Sequence, residues 1–347
     1  MNNANVKFIS GNEAAVLGAV EAGAEVMFGY PITPATEILE NWIKTSSSNH
    51  SLKYLQTEDE TAAGFALIGS ILGGAKAFTA SAGPGHILLQ DPISMAENLR
   101  LPFVAIIMQR GGPSTGTVNF SQQEVNLACF GGNGDGLRIV YSASSVYEMY
   151  SLTIKSFSSA WKYRFPTFVL GDGYLGKMKE KINLSKSIRS VKSYPILKEN
   201  HKPTFLRNCY SSEESFGSVI DNNITDWLIN RQKISESELY RLSDANEMII
   251  AHGIVSGAAK EAVDILRKQN NKIGLFRPIT LNPLDNYNLK KSLKSVKKAY
   301  LFESSLNQLS HIIKYEAYGI DTPIIEFPKP ARGYTSDEII KNVSRNL

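Results

Sequence analysis

The chain has 347 residues, 43% of them hydrophobic and 20% charged, which suffices for two packed domains and argues against disorder. Lys plus Arg total 37 against 33 for Asp plus Glu, and a net charge of +4 is too weak a field to imply nucleic acid or an anionic membrane as partner. The 2 cysteines, Cys129 and Cys209, cannot ligate an iron–sulfur cluster or a four-thiolate zinc site. No apolar stretch approaches the roughly 20 residues of a membrane span. The first residues, Met1 to Asn5, lack the basic start and apolar core of a signal peptide, so a cytoplasmic, reducing location is expected.

In chain order, strands are expected at Val26–Gly29, Ala75–Ala80, Phe103–Met108, Arg138–Tyr141 and Thr167–Leu170. Helices are expected at Glu13–Ala22, Pro34–Lys44, Thr61–Leu72, Ile87–Asn98 and Ser145–Tyr163. Strands alternating with helices imply a parallel sheet covered on both faces, over residues 1–182. Residues 183–244 read as a connector, Lys- and Ser-rich at first, with one helix at Asn222–Arg241. Alternation resumes over 245–347, with strands at Met248–Ala251, Ile273–Phe276, Ala299–Phe302 and Ile324–Glu326. Helices near Ser256–Lys268, Asn288–Val296 and Gln308–Ala317 complete a smaller α/β domain. The lysines at 290, 291, 294, 297 and 298 fall at helical spacing and read as a solvated face.

Three loops leave the C-terminal ends of strands, where open parallel sheets bind ligands. The first is Gly29-Tyr30-Pro31-Ile32-Thr33-Pro34, in which Thr33 is either a helix cap or a ligand contact at the strand-to-helix corner. The second, Ser81-Ala82-Gly83-Pro84-Gly85, lets backbone approach a ligand closely but lacks the third Gly of a dinucleotide fingerprint. The third is Gln109-Arg110-Gly111-Gly112-Pro113-Ser114-Thr115-Gly116. An Arg at the end of a buried strand needs an anion, either a protein carboxylate or that of a substrate. Glu58, Asp59 and Glu60 open a helix of small apolar residues. Acids in a first turn are ordinary helix-dipole chemistry, but the small residues also leave room for something bulky.

These motifs together resemble the 2-oxoacid:ferredoxin oxidoreductase family, in its separate-subunit form acting on 2-oxoglutarate or branched-chain 2-oxoacids. The resemblance rests on Gly11-Asn12-Glu13-Ala14, Gly29 to Pro34, Gln56 to Glu60, Ser81 to Gly85, Gln109 to Gly116 and Leu275-Phe276-Arg277-Pro278-Ile279-Thr280. It implies a pyrimidine-binding thiamine diphosphate domain followed by a transketolase C-terminal-like domain. It places Tyr30, Pro31, Ile32, Gly83, Pro84 and Gly85 at the cofactor and Thr33 and Arg110 at the substrate, with Arg110 gripping the 2-oxoacid carboxylate. Glu58 is assigned the carboxyl that hydrogen-bonds the aminopyrimidine from a dry pocket, a role that needs a raised pKa, and Asp59 and Glu60 are left as first-turn acids.

The implied reaction is oxidative decarboxylation of a 2-oxoacid to acyl-coenzyme A and carbon dioxide with reduction of ferredoxin; 2-oxoglutarate or 2-oxoisovalerate is favoured over pyruvate. No metal site is expected on this chain. Its Gly171-Asp172-Gly173 has Asn200 downstream at the family's diphosphate-site spacing, but the intervening connector lacks the required helix and strand. His201 stands where a second Asn is frequent, and both this Gly-Asp-Gly and Gly134-Asp135-Gly136 read as the ends of strands. Magnesium, the diphosphate half of the site and [4Fe-4S] clusters are therefore expected on a beta-type partner, with gamma- and delta-type subunits besides. Asn133 replaces the family's frequent His. His86, just past the Gly-Pro-Gly turn, reads either as facing the cofactor or as a surface residue at a helix start, and is not assigned to the site. Two other readings stand: the pyrimidine-carrying subunit of another two-chain thiamine enzyme, or a non-catalytic assembly subunit.

Overall fold

The computed structural model describes residues 6–184, 191–199 and 202–346; Asn200 and His201 lie outside them. A seven-stranded sheet runs in the order Thr280–Asn282, Ile139–Ser142, Thr167–Asp172, Val104–Gln109, Ala77–Ser81, Val26–Gly29 and Lys53–Gln56. Every neighbouring pair is parallel except the first, which is antiparallel and carries a register shift. The central strands Val104–Gln109 and Thr167–Asp172 are buried at every position, so both faces of the sheet must be covered. Ala105 and Ile107 pack on one face with Leu67, Ile71 and Ile93 of the helices Glu60–Leu72 and Gln90–Asn98. Val104, Ile106 and Met108 point the other way, onto Ala15, Trp42 and Phe157 of Gly11–Glu21, Thr36–Ser48 and Val146–Tyr163.

A second sheet of five strands runs Ser237–Tyr240, Ile273–Pro278, Glu247–Ile250, Lys298–Glu303, Ile324–Pro328, with only the first pair antiparallel. One strand of each sheet departs from the sequence reading. The expected helix over 222–241 is instead the helix Glu213–Ile234, which ends where Ser235 turns extended (φ −63°, ψ 140°) and frees Ser237–Tyr240 to pair with Ile273–Pro278. Thr280–Asn282, within the expected second domain, adds an edge strand to the first sheet. The expected helix over 87–98 breaks at Leu89 into Pro84–Leu88 and Gln90–Asn98. The strand Val6–Ser10 and the outer strand Lys53–Gln56 show little burial alternation, and Lys179–Asn183, the ribbon partner of Val6–Ser10, carries one apolar residue, Ile182, which is why periodicity does not announce them. Lys291 and Lys294 are exposed on the helix Asn286–Ser295, as a solvated face requires, but Lys297 lies past its end and the half-buried Lys298 opens the strand Lys298–Glu303. No helix among the described residues is long and apolar enough to cross a membrane.

The seam between the two sheets is polar. His252 accepts or donates through Nδ1 to Ser142 Oγ at 2.9 Å, and its carbonyl takes the Gln122 amide at 2.9 Å. Burial, reinforced by the Arg277 charge, pushes the His252 pKa down to about 3. The folded state therefore favours the neutral ring. Its contribution is complete above the unfolded value of about 6.5 and is lost as pH falls from there toward about 3. His252→Gln is expected to flatten the acid limb of thermal stability between about pH 4 and 6.5, which thermal melts of the two proteins check.

Candidate active site

Adjacent parallel strands deliver their following loops to one edge, so the ends of Val26–Gly29, Ala77–Ser81 and Val104–Gln109 meet. Arg110 is only 5% exposed, and its Nη1 donates to the Thr33 carbonyl at 2.8 Å. A Cβ on Gly83 would stand 2.5 Å from Arg110 Nε, and Gly83 has φ +51°, so this turn admits glycine on both counts. Thr33, Gly83 and Arg110 are thus brought together. Asn12, from the Gly11-Asn12 motif, is buried and donates to the Pro34 carbonyl at 2.9 Å and to Glu37 Oε2 at 3.2 Å, fixing the first loop from behind. Tyr30 and Pro31 are exposed at the rim and Ile32 is half-buried.

The three acids that open the Glu60–Leu72 helix take three different positions. Glu58 is exposed ahead of the helix. Asp59 is the cap, its Oδ1 accepting from the Ala62 amide at 2.7 Å. Glu60 is 3% exposed and points inward, with Oε1 buried and lacking a hydrogen-bond partner. A Cβ added to Gly85 would lie 2.0 Å from that oxygen and 2.4 Å from Ser81 Oγ, so the carboxyl rests directly on the Gly-Pro-Gly turn. Burial raises the Glu60 pKa above the ordinary carboxylate value, against the opposing influence of its own backbone amide, the Ser81 hydroxyl and the Arg110 charge. The dry carboxyl that selected Glu58 is therefore found at Glu60. Helix phase accounts for it: Glu60, Ala63, Gly64, Leu67 and Ile68 share the buried face, which begins two residues after Glu58.

Two residues that sequence reading did not assign also belong to this edge. Glu124 is buried and bonds both the Gly83 turn and the Arg110 loop, and His86 is buried against it rather than on the surface. No local pattern signals a contact made across some 40 residues of chain. The Gly171-Asp172-Gly173 motif ends a strand, as read. Asp172 Oδ1 accepts from the amides of Tyr174 at 3.0 Å and Leu175 at 2.9 Å, and burial lifts its pKa to about 7. Gly134-Asp135-Gly136, by contrast, does not end a strand: with Asn133 it lies on a loop ahead of the strand Ile139–Ser142, exposed from Asn133 to Asp135. Among the described residues no group of three or more His, Cys, Asp or Glu is placed to hold a metal ion.

Residues 17–226 match the family described as pyruvate flavodoxin/ferredoxin oxidoreductase, thiamine diP-binding, and residues 245–335 match pyruvate:ferredoxin oxidoreductase core domain II. The chain belongs to the 2-oxoacid:ferredoxin oxidoreductase family. It is 34% identical to the 2-oxoglutarate synthase subunit KorA of Methanocaldococcus jannaschii, over 89% of this chain and 91% of that one. It is 33% identical to the ketoisovalerate oxidoreductase subunit VorB of Methanothermobacter marburgensis, over 89% of each. The solved 2-oxoglutarate:ferredoxin oxidoreductase from Magnetococcus marinus, with 2-oxoglutarate, coenzyme A and succinyl-CoA bound, superposes with a TM-score of 0.87 at 27% identity. That match covers 98% of this chain and 65% of the longer one. A split-gene transketolase shares the fold at a TM-score of 0.63 and 10% identity.

The residues present suit the family's thiamine diphosphate. Glu60 Oε1, Ser81 Oγ and Arg110 Nε are buried polar atoms without protein partners, gathered about a turn whose glycines keep side chains out of the way. Gly85→Ala is expected to push the Glu60 carboxyl aside and lower turnover on the order of 10²-fold. Gly69→Ala, in the Glu60–Leu72 helix with nothing within 4 Å of the added Cβ, is the control and leaves turnover intact. Steady-state assays with melting curves on both variants check this.

Proposed function

We propose that this chain supplies the pyrimidine-binding half of a thiamine diphosphate site in a cytoplasmic 2-oxoacid:ferredoxin oxidoreductase. The reaction is the coenzyme A-dependent oxidative decarboxylation of 2-oxoglutarate or a branched-chain 2-oxoacid. The observation that carries this reading is the buried Glu60 carboxyl, its Oε1 without a hydrogen-bond partner, lying on the Gly83–Gly85 turn beside Arg110. Glu60 takes the cofactor role for which Glu58 was the expectation: it would hold a proton between its carboxyl and the pyrimidine ring nitrogen, which desolvation favours. Bound there, thiamine diphosphate supplies the electron sink for decarboxylation. Arg110 presents its guanidinium to the substrate carboxylate, steadied by the Thr33 carbonyl, and the Thr33 corner closes the other side. The substrate gives up carbon dioxide and two electrons, coenzyme A takes the acyl group, and ferredoxin takes the electrons.

The diphosphate, its magnesium ion and the [4Fe-4S] clusters are assigned to a beta-type partner, with gamma- and delta-type subunits completing the complex. An apolar surface beside the site supports a covering partner: Tyr30 on the first loop, Tyr54 and Leu55 on the outer strand, Phe65 on the Glu60–Leu72 helix and Ile87 and Leu88 on the short helix Pro84–Leu88 are exposed. The complex, co-purified with the partner, is expected to reduce viologen or ferredoxin with 2-oxoglutarate or 2-oxoisovalerate only when coenzyme A is present. Turnover with pyruvate is expected to be slower. No reduction with any 2-oxoacid in a cofactor-loaded complex would overturn the reading in favour of a non-catalytic subunit.

A further inference from the structure

The strands Ala77–Ser81 and Val104–Gln109 pair as far as Ser81 opposite Ile107. Beyond that point they diverge, one into the Gly83 turn and the other into the Arg110 loop. The amides of Gly83 and Arg110 consequently lose their ladder neighbours at the place where the site is built. A single oxygen, Glu124 Oε1, accepts both, each at 2.9 Å. The other oxygen, Oε2, lies 2.9 Å from His86 Nδ1. Glu124 is 5% exposed and His86 fully buried, so water does not compete for these bonds. A buried carboxylate is costly unless donors surround it, and here three do.

We propose that Glu124 is a positioning residue for this active site. Its carboxylate closes the gap between two diverging strands, setting the Gly83 turn against the base of Arg110, while His86 fixes the rotation of the carboxylate. The geometry of the Arg110 guanidinium follows from its own backbone. Releasing that amide would swing the side chain relative to Thr33 and to Gly83, against which Arg110 Nε is already packed. The segment carrying Glu124 is itself anchored from the second sheet. The Ser304 amide donates to Gln122 Oε1 at 2.9 Å and the Gln308 side chain to the Gln123 carbonyl at 2.9 Å. Release of the carboxylate therefore frees the Gly83 and Arg110 loops rather than the Glu124 segment.

The inference rests on Arg110 being the substrate clamp, so its test separates the two ideas. The assembled complex is made with Glu124→Ala and Glu124→Gln, and with His86→Ala and His86→Gln. KM for the 2-oxoacid, kcat, thiamine diphosphate affinity by intrinsic fluorescence and 2-oxoacid affinity by calorimetry are measured for each. Glu124→Ala is expected to raise KM for the 2-oxoacid on the order of 10²-fold, by misplacing the clamp. Glu124→Gln is expected to recover most of that loss. Its amide oxygen can accept the same two N–H groups, and its NH₂ can donate to His86 Nδ1 in the other tautomer. The His86 pair shows the same split at smaller size, since Gln keeps a donor toward Oε2 and Ala does not, and it decides the matter if Glu124→Ala does not assemble. An unchanged KM with only a lowered melting temperature, or equal losses in the Ala and Gln variants, would overturn the proposal. A wild-type complex inert toward every 2-oxoacid would count against the function instead. In that case the thiamine diphosphate affinities still decide the role of Glu124: a loss in Ala restored in Gln supports it, and no difference from wild type overturns it.

Discussion

Replacing Glu60 with Gln in the assembled complex is expected to lower kcat by about 10²–10⁴-fold, the range of a lost general acid–base group. The change preserves side-chain size and leaves the contact with the Gly85 turn filled, so the loss reports proton chemistry rather than packing. Burial raises the Glu60 pKa, which would favour holding one proton between the carboxyl and the ring nitrogen in the proposed role. Glu58→Gln alters an exposed side chain ahead of the helix and is expected to leave kcat within about twofold of wild type. Steady-state kinetics on the two variants side by side check both halves.

Replacing Arg110 with Lys is expected to act mainly on kcat/KM for the 2-oxoacid, by about 10²-fold. Charge is retained, but the planar fork is lost together with the geometry that lets Nη1 reach the Thr33 carbonyl at 2.8 Å. A buried site with one donor group out of place leaves the substrate carboxylate imperfectly paired, at about 2–3 kcal/mol. The ranking of 2-oxoacids should survive, because the 1-carboxylate is common to all of them. A change in preference between 2-oxoglutarate and 2-oxoisovalerate would mean that Arg110 faces the substrate's distal end. Initial rates across both substrates distinguish these.

The strand ends were readable because Gly and Pro cluster there and because an Arg at the end of an apolar run has few explanations. Thr33, Gly83 and Arg110 accordingly meet as their positions suggest. Three consecutive acids share one motif, and only helix phase separates them. Asp59 caps, so the inward face starts at Glu60. The edge strand Lys53–Gln56 is exposed throughout and lacks alternation, and the ribbon strand Lys179–Asn183 is mostly polar. Thr280–Asn282 joins the first sheet from the far side of the chain. Glu124 has no local mark at all, because its meaning lies in two amides contributed by other strands.

The central claim is that Glu60 is the carboxyl that activates the cofactor. The most direct measurement is the rate of hydrogen–deuterium exchange at C2 of thiamine diphosphate bound to the complex, by quenched-flow NMR, for wild type, Glu60→Gln and Glu58→Gln. The predicted result is exchange slowed by about 10²-fold or more in Glu60→Gln and near the wild-type rate in Glu58→Gln. Wild-type exchange in Glu60→Gln, with slowing confined to Glu58→Gln, would contradict the claim and return the role to Glu58.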